Sequence, residues 1–145
     1  MSESNELAST IESARQFHGH IGPYLIIGLK MGIAARKALN ISEAERIFLR
    51  AKVEVPLHPP FSCLLDGIQV STTCTVGNQR LKIKNSKCIE ATFVSQKDTE
   101  VLRITLSSQL SEQLKAEKTQ SKLTEEYALE IAKMPENQLF NIAFE

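Results

Sequence analysis

Apolar residues recur at helical spacing near the start of the chain. Leu7, Ile11, Ala14 and Phe17 share one face and predict an amphipathic helix over residues 5–17. The pattern breaks at HGHIGP (18–23), where Gly19, Gly22 and Pro23 interrupt it. Pro23 suits a first helical position, since the N–H it lacks would be unpaired there. A second helix is therefore expected from Pro23 to Leu39, with Leu25, Ile26, Leu29 and Ile33 as its apolar stripe. Gly28, Gly32 and Ala35 form a seam of small residues along it that lets another backbone come close. Ser42 and Glu45 have the spacing of a capping box, and a short helix can follow them.

FLRAKVEVP (48–56) alternates like a half-buried strand and stops at a proline, and LHPP (57–60) reads as an extended connector. FSCLLDGIQVSTT (61–73) reads two ways. Leu64, Leu65 and Ile68 allow a short helix, whereas the β-branched and hydroxyl residues from Val70 to Thr73 favour a strand or turn. VGN (76–78) signals a turn. LKIKN (81–85), IEATFVS (89–95) and VLRITLS (101–107) predict three strands in an antiparallel meander. Helices over 109–117 and 121–134 follow, the second with Leu123, Tyr127, Ile131 and Met134 on one face. The apolar tail 138–145 can add an edge strand or dock on a partner. Strands clustered between helices point to an α+β fold, an antiparallel sheet flanked by N-terminal and C-terminal helices in a single domain over 1–145.

Composition narrows the function classes. The 145 residues are enough to enclose a core, and 42% are hydrophobic, which argues against a disordered chain. Lys plus Arg and Asp plus Glu both number 17, so no net positive charge favours capture of nucleic acid or an anionic membrane. The longest apolar stretch, residues 21–35, is broken by Lys30 and three glycines and is too short to span a bilayer. MSESNELAST lacks the apolar core of a signal peptide. Three cysteines, an odd number in a core-competent chain, argue against disulfide stapling and fit a reducing cytoplasm.

Candidate chemistry concentrates in two segments. His18 and His20 flank a glycine before a helix start, and in an extended segment residues two apart point to one side, so both rings could address one site. Surface or capping histidines are the plain alternative. Cys63 and Cys74 add thiols, and imidazole with thiolate suits zinc, with iron or nickel as other candidates. A free cysteine that simply behaves as a small buried hydrophobe is the competing reading. Asp66 stands in the apolar run CLLDGIQV, where an unpaired charge is costly, so it should be exposed, cap a backbone, orient a ligating imidazole or accept a proton. Glu54 alternates with Val53 and Val55 and should face solvent. Cys88 reads as a core or spare thiol, and His58 as a loop histidine without a role, with a further ligand as its alternative. No phosphate loop, dinucleotide fingerprint, HExxH or CxxC is present.

FHGHIGPYLIIGLKMG (17–32) followed by PPFSCLLDGIQVSTTCTVGN (59–78) resembles the FmdE-like family, which takes its name from formylmethanofuran dehydrogenase, and the ending PENQLFNI is also similar. The resemblance implies a dimeric α+β core in which His18, His20, Cys63 and Cys74 converge on a metal-containing cavity with Asp66 and Gln69 nearby. It implies an accessory or regulatory role beside a molybdenum or tungsten oxidoreductase, and zinc, or iron or nickel, is the metal that the imidazole and thiolate donors suit. A stand-alone metal-dependent enzyme, with Asp66 or Glu54 as general base, is the alternative, and an interaction module that binds no metal is a third. The chain departs from the family pattern at Gly22, where many relatives have Cys, at Thr73, where Gly is common, and at Asn78, where Lys is frequent. It also lacks the C-terminal zinc ribbon of some relatives. A homodimer is expected from the small-residue seam and the apolar tail.

Overall fold

A computed structural model describes residues 3–119 and 124–145. Among these residues the elements follow in the order α1 (Glu3–His18), α2 (Pro23–Ala38), a short 3-10 helix (Ala44–Phe48), β1 (Leu49–Val55), α3 (Cys63–Thr72), β2 (Leu81–Asn85), β3 (Glu90–Ser95), β4 (Val101–Leu106), α4 (Ser108–Thr119), α5 (Glu125–Lys133), α6 (Glu136–Leu139) and β5 (Phe140–Phe144). The α+β expectation holds. None of the described helices is long and apolar enough to cross a membrane.

The sheet order is β2-β1-β3-β4-β5. β1, β3, β4 and β5 form the antiparallel run, and β5 supplies the edge strand that the apolar tail allowed. The meander is corrected at its first strand. β2 pairs not with β3 but with β1, in parallel, Ala51 opposite Leu81 and Val55 opposite Asn85. The cause is α3: a parallel pair needs a crossover connection, and the segment that read two ways in the sequence is the helix that makes it. Ser71 and Thr72 sit in that helix by turning their hydroxyls back onto the carbonyls of Gly67 and Ile68, at 3.0 and 2.6 Å, which satisfies them without leaving helical geometry.

β1 is an interior strand, between β2 and β3, and its inward residues Leu49, Ala51, Val53 and Val55 are all buried while Arg50 and Lys52 face out. Glu54, between two buried valines, is half-buried on the outer side. α2 is more buried than one amphipathic stripe implies. Leu25, Ile26, Ile27, Leu29 and Met31 are all sequestered, so the helix runs through the middle of the helical layer. The capping-box spacing closes one of its two bonds, Ser42 N–H to Glu45 Oε1 at 3.0 Å, and a 3-10 turn follows instead of an α-helix. The expected helix over 121–134 is present from Glu125, while its start at 121–123, including Leu123, lies outside the described residues.

The small-residue seam is filled from within the chain. A Cβ on Gly28 would stand 1.9 Å from the Leu64 carbonyl oxygen, and one on Gly67 would stand 2.1 Å from that of Leu25. Backbones of α2 and α3 therefore meet directly, with glycine on both sides of the contact. That removes the seam as a reason to expect a homodimer. Ile142 and Phe144 of the tail remain partly exposed on the sheet edge.

Candidate functional site

The glycine contact fixes the start of α3 against the start of α2, and the HGH turn leads into that corner. His18 is the last residue of α1. Gly19 follows with φ +101, a conformation open to glycine, and its N–H closes on the Arg15 carbonyl at 2.8 Å. The chain thus reverses at once, and the two imidazoles meet at a centroid distance of 4.7 Å, tilted by 39°. The rings do address one region, as the spacing suggested, but through a helix end and a left-handed glycine in place of an extended strand.

His18 Nδ1 lies 2.6 Å from Asp66 Oδ2, and the two side chains are 13% and 33% exposed. Asp66 is thus bonded to an imidazole and is neither a backbone cap nor a free surface charge. Its other oxygen accepts from Gln69 Nε2 at 3.2 Å, and Gln69 Oε1 accepts the Val76 N–H at 3.2 Å. A chain of bonds therefore runs from the turn after α3, through Gln69 and Asp66, to one nitrogen of His18. An ionised carboxylate only accepts, so in the neutral imidazole this contact selects the tautomer with the proton on Nδ1 and the lone pair on Nε2. Nε2 is buried and has no hydrogen-bond partner among the described residues. Leaving such an atom unpaired costs about 1–3 kcal/mol, a cost that a bound ligand removes.

The two thiols have different surroundings. Cys63 opens α3 one turn before Asp66 and is partly exposed. Burial, with the Asp66 charge next, pushes its thiol above the ordinary range. Cys74 is fully buried, and its S–H donates to the Leu49 carbonyl of β1 at 3.2 Å. Burial pushes that thiol up as well. Among the described residues, no three His, Cys, Asp or Glu side chains stand together as a set able to hold a metal ion. His18, His20, Asp66 and Gln69 gather at one corner, Cys63 stands at its edge, and Cys74 points into the core.

The departures from the family pattern acquire positions. Gly22 is the N-cap of α2 in extended backbone, and a Cβ there would meet His20 Nε2 at 3.9 Å, an ordinary contact. A cysteine at that position would thus bring a sulfur to the second imidazole. Thr73 occupies φ 60, ψ 15, a left-handed conformation that glycine adopts without strain. Its carbonyl is held by Asn78 Nδ2 at 2.7 Å and Arg80 Nη2 at 3.1 Å, which brace the turn. Asn78 therefore has a structural use in this chain.

His58 is exposed in the connector, with Nδ1 3.2 Å from its neighbour's carbonyl at Pro59 and its ring edge-on to Phe61 at 5.1 Å. Cys88 is an exposed free thiol, the spare and not the core reading. The bond from Gln69 to Val76 had no signal in the sequence, because it joins a helix to a turn seven residues on.

Comparison with known proteins places the chain. The family model described as "FmdE, Molybdenum formylmethanofuran dehydrogenase operon" matches residues 17–141. A protein of Archaeoglobus fulgidus named "Probable S-adenosyl-L-methionine-binding protein" is 29% identical over 105 residues, which are 72% of this chain. The match spans 28% of that relative's own length. The crystal structure of a tungsten formylmethanofuran dehydrogenase FmdE-like protein from Syntrophus aciditrophicus has the same fold, with TM-score 0.66 and 19% identity, covering 96% of this chain and 71% of that one. The two-segment pattern, its order along the chain and the span of the family match lead to one assignment: the chain belongs to the FmdE family.

Proposed function

We propose that the chain holds a divalent transition metal, zinc first and iron or nickel next, as an accessory protein to a molybdenum or tungsten oxidoreductase of the formylmethanofuran dehydrogenase kind. The observation that carries this reading is the buried, partnerless Nε2 of His18, with Nδ1 tied to a carboxylate on the other side of the ring. Metal-ligating imidazoles characteristically donate their second nitrogen to a carboxylate, which fixes the tautomer and raises ligand basicity.

His18 Nε2 would be the first donor, and His20 and Cys63 would have to move toward it to complete a set, since among the described residues no three such side chains stand together. Nitrogen and sulfur donors of this kind suit a borderline metal. Cys63 would have to give up its proton to serve as a ligand, and Asp66 would orient the first ligand without joining it. When bound, such an ion supplies Lewis acidity at an open position or an ordering charge. Cys74 enters only by giving up its bond to Leu49, so it stands last among the candidates. Three free thiols, Cys63, Cys74 and Cys88, agree with a reducing cytoplasmic setting. A homodimer belongs to the same proposal, with the exposed Ile142 and Phe144 as its remaining support.

A second reading draws on the same pair. Asp66 and His18 together have the arrangement of a general base held in its working tautomer, so an enzyme whose base is His18 Nε2 is the competitor. Metal analysis of untagged protein separates the two. Under the accessory reading, stoichiometric metal is expected in the wild type, and its loss in His18→Ala and Cys63→Ala. Equal, trace metal in all three sinks that reading and leaves the general base standing.

A further inference from the structure

Among the described residues the sheet ends in two edge strands, β2 and β5, and the two edges are built differently. An open edge is a template for any further strand, and proteins blunt it with lysine, proline or a bulge. β2 is blunted. Lys82 and Lys84 stand exposed along it, and Lys82 lies directly opposite Lys52 of β1 on the same outer face. β5 has none of these devices. FNIAF carries no charge and no proline, and its register with β4 runs unbroken from Phe140 to Phe144. Ile142 and Phe144 on it are 36% and 54% exposed.

The bonds that β5 makes toward β4 show which of its backbone groups face the other way. The Ser107 N–H bonds the Leu139 carbonyl, and the Glu145 N–H bonds the Val101 carbonyl. Odd-numbered residues of the tail therefore turn toward β4. Antiparallel pairing alternates along a strand, so Ile142 and Phe144 point their N–H and C=O groups away from the sheet. Phe140 would be next in that series, but its N–H already closes on the Glu136 carbonyl at the end of α6. The outward groups thus form a matched set at 142 and 144, centred on Ala143.

A set centred on one residue fits a copy of itself. A second chain laid antiparallel, with Ala143 on the two-fold axis, brings Ile142 opposite Phe144 of that copy. Each such pair exchanges both of its N–H to C=O bonds, and the contact is isologous. Ile142 and Phe144 share the inner face of the sheet, in register with the buried Ile104 and Leu102. The same pairing therefore continues the apolar core across the axis. On the outer face Ala143 meets Ala143, and Glu145 falls beside the Asn141 amide, a donor for its carboxylate. No like charges are opposed. A basic or acidic foreign strand, by contrast, finds no charge along FNIAF to recognise it.

We infer that β5 pairs antiparallel with β5 of a second copy of this chain, Ala143 on the axis, joining two sheets into one. The inference rests on the homodimer of the proposed function and is independent of metal at the His18 corner.

Light scattering of the full chain at micromolar concentration, with site-directed cross-linking, tests it. Wild type should have twice the chain's mass, and Phe144→Lys, which gives β5 the guard that β2 carries, should have the mass of one chain. Ala143 on the axis forms a non-hydrogen-bonded pair with Cα atoms about 4.5 Å apart, within disulfide range. In a Cys88→Ser background, which removes the exposed native thiol, Ala143→Cys should therefore form a disulfide dimer on oxidation with diamide. Asn141→Cys, which faces Glu145 in this register, should not. The cross-link decides the matter if Phe144→Lys fails to fold. A monomeric wild type overturns the inference and the homodimer together, and stoichiometric metal in that monomer would leave the metal reading intact. A dimer that Phe144→Lys leaves intact, or whose Ala143→Cys fails to cross-link, overturns the β5 pairing alone. Equal cross-linking through Asn141→Cys overturns it as well.

Discussion

The two ends of α3 treat a cysteine in opposite ways. At the first end, Cys63 is partly exposed one turn from Asp66, whose carboxylate holds His18 with its far nitrogen buried and unpartnered among the described residues. At the other end, the helix closes in a left-handed Thr73, and Cys74 turns its thiol into the core toward the Leu49 carbonyl. Sequence spacing treats the two thiols as equals, since each is a cysteine beside a loop. What separates them is the neighbour each helix end meets: the HGH corner at one, the interior strand β1 at the other. A helix ten residues long, about 15 Å by its rise, spans that distance rigidly.

That rigidity comes from the glycine contact, so Gly67→Ala should break the comparison outright. The added methyl would stand 2.1 Å from the Leu25 carbonyl oxygen, and backbone cannot yield as a flexible side chain does. A loss of about 3 kcal/mol or more is expected in chemical denaturation, at or above the usual range for overpacking. Asp66→Asn keeps the shape but offers His18 a weaker acceptor. Metal affinity should fall by about 10- to 100-fold with little change in folding, read by competition against a chelator. Gly22→Cys works in the other direction. Its backbone is extended and its Cβ has room beside His20 Nε2, so metal binding should tighten by about tenfold, roughly 1.4 kcal/mol. The smallest effects concern stability at the two thiols. Cys74→Ala should cost about 1–2 kcal/mol through the cavity it leaves, whereas Cys63→Ala should stay within about 0.5 kcal/mol, both read by chemical denaturation.

Local pattern made much of the fold legible. Helix α1, the start of α2 at Pro23, strand β1 and the edge strand β5 all follow from periodicity and from where proline and glycine fall. The meander failed because period-two alternation identifies strands but not their neighbours. LKIKN looks the same beside β1 as beside β3, and only the crossover through α3 decides. That crossover was hidden by Val70, Ser71 and Thr72, whose strand preference is overridden by back-bonding and by packing on α2. The site divides in the same way. His18 and His20 were readable from the glycines that turn the chain around them. The partner of Asp66 could not be read in the sequence, because it is a residue 48 positions earlier that the fold brings beside it. The inward turn of Cys74 had no sequence signal, because it depends on β1 passing beneath the end of α3.

The most direct test of the difference between the two helix ends is cobalt(II) titration of metal-free protein, read as the thiolate-to-cobalt charge-transfer band in the near ultraviolet. The band is expected to reach its end point at one equivalent, to disappear in Cys63→Ala and to persist in Cys74→Ala. A band that survives the loss of Cys63 but vanishes without Cys74, or no band in the wild type, would contradict that assignment.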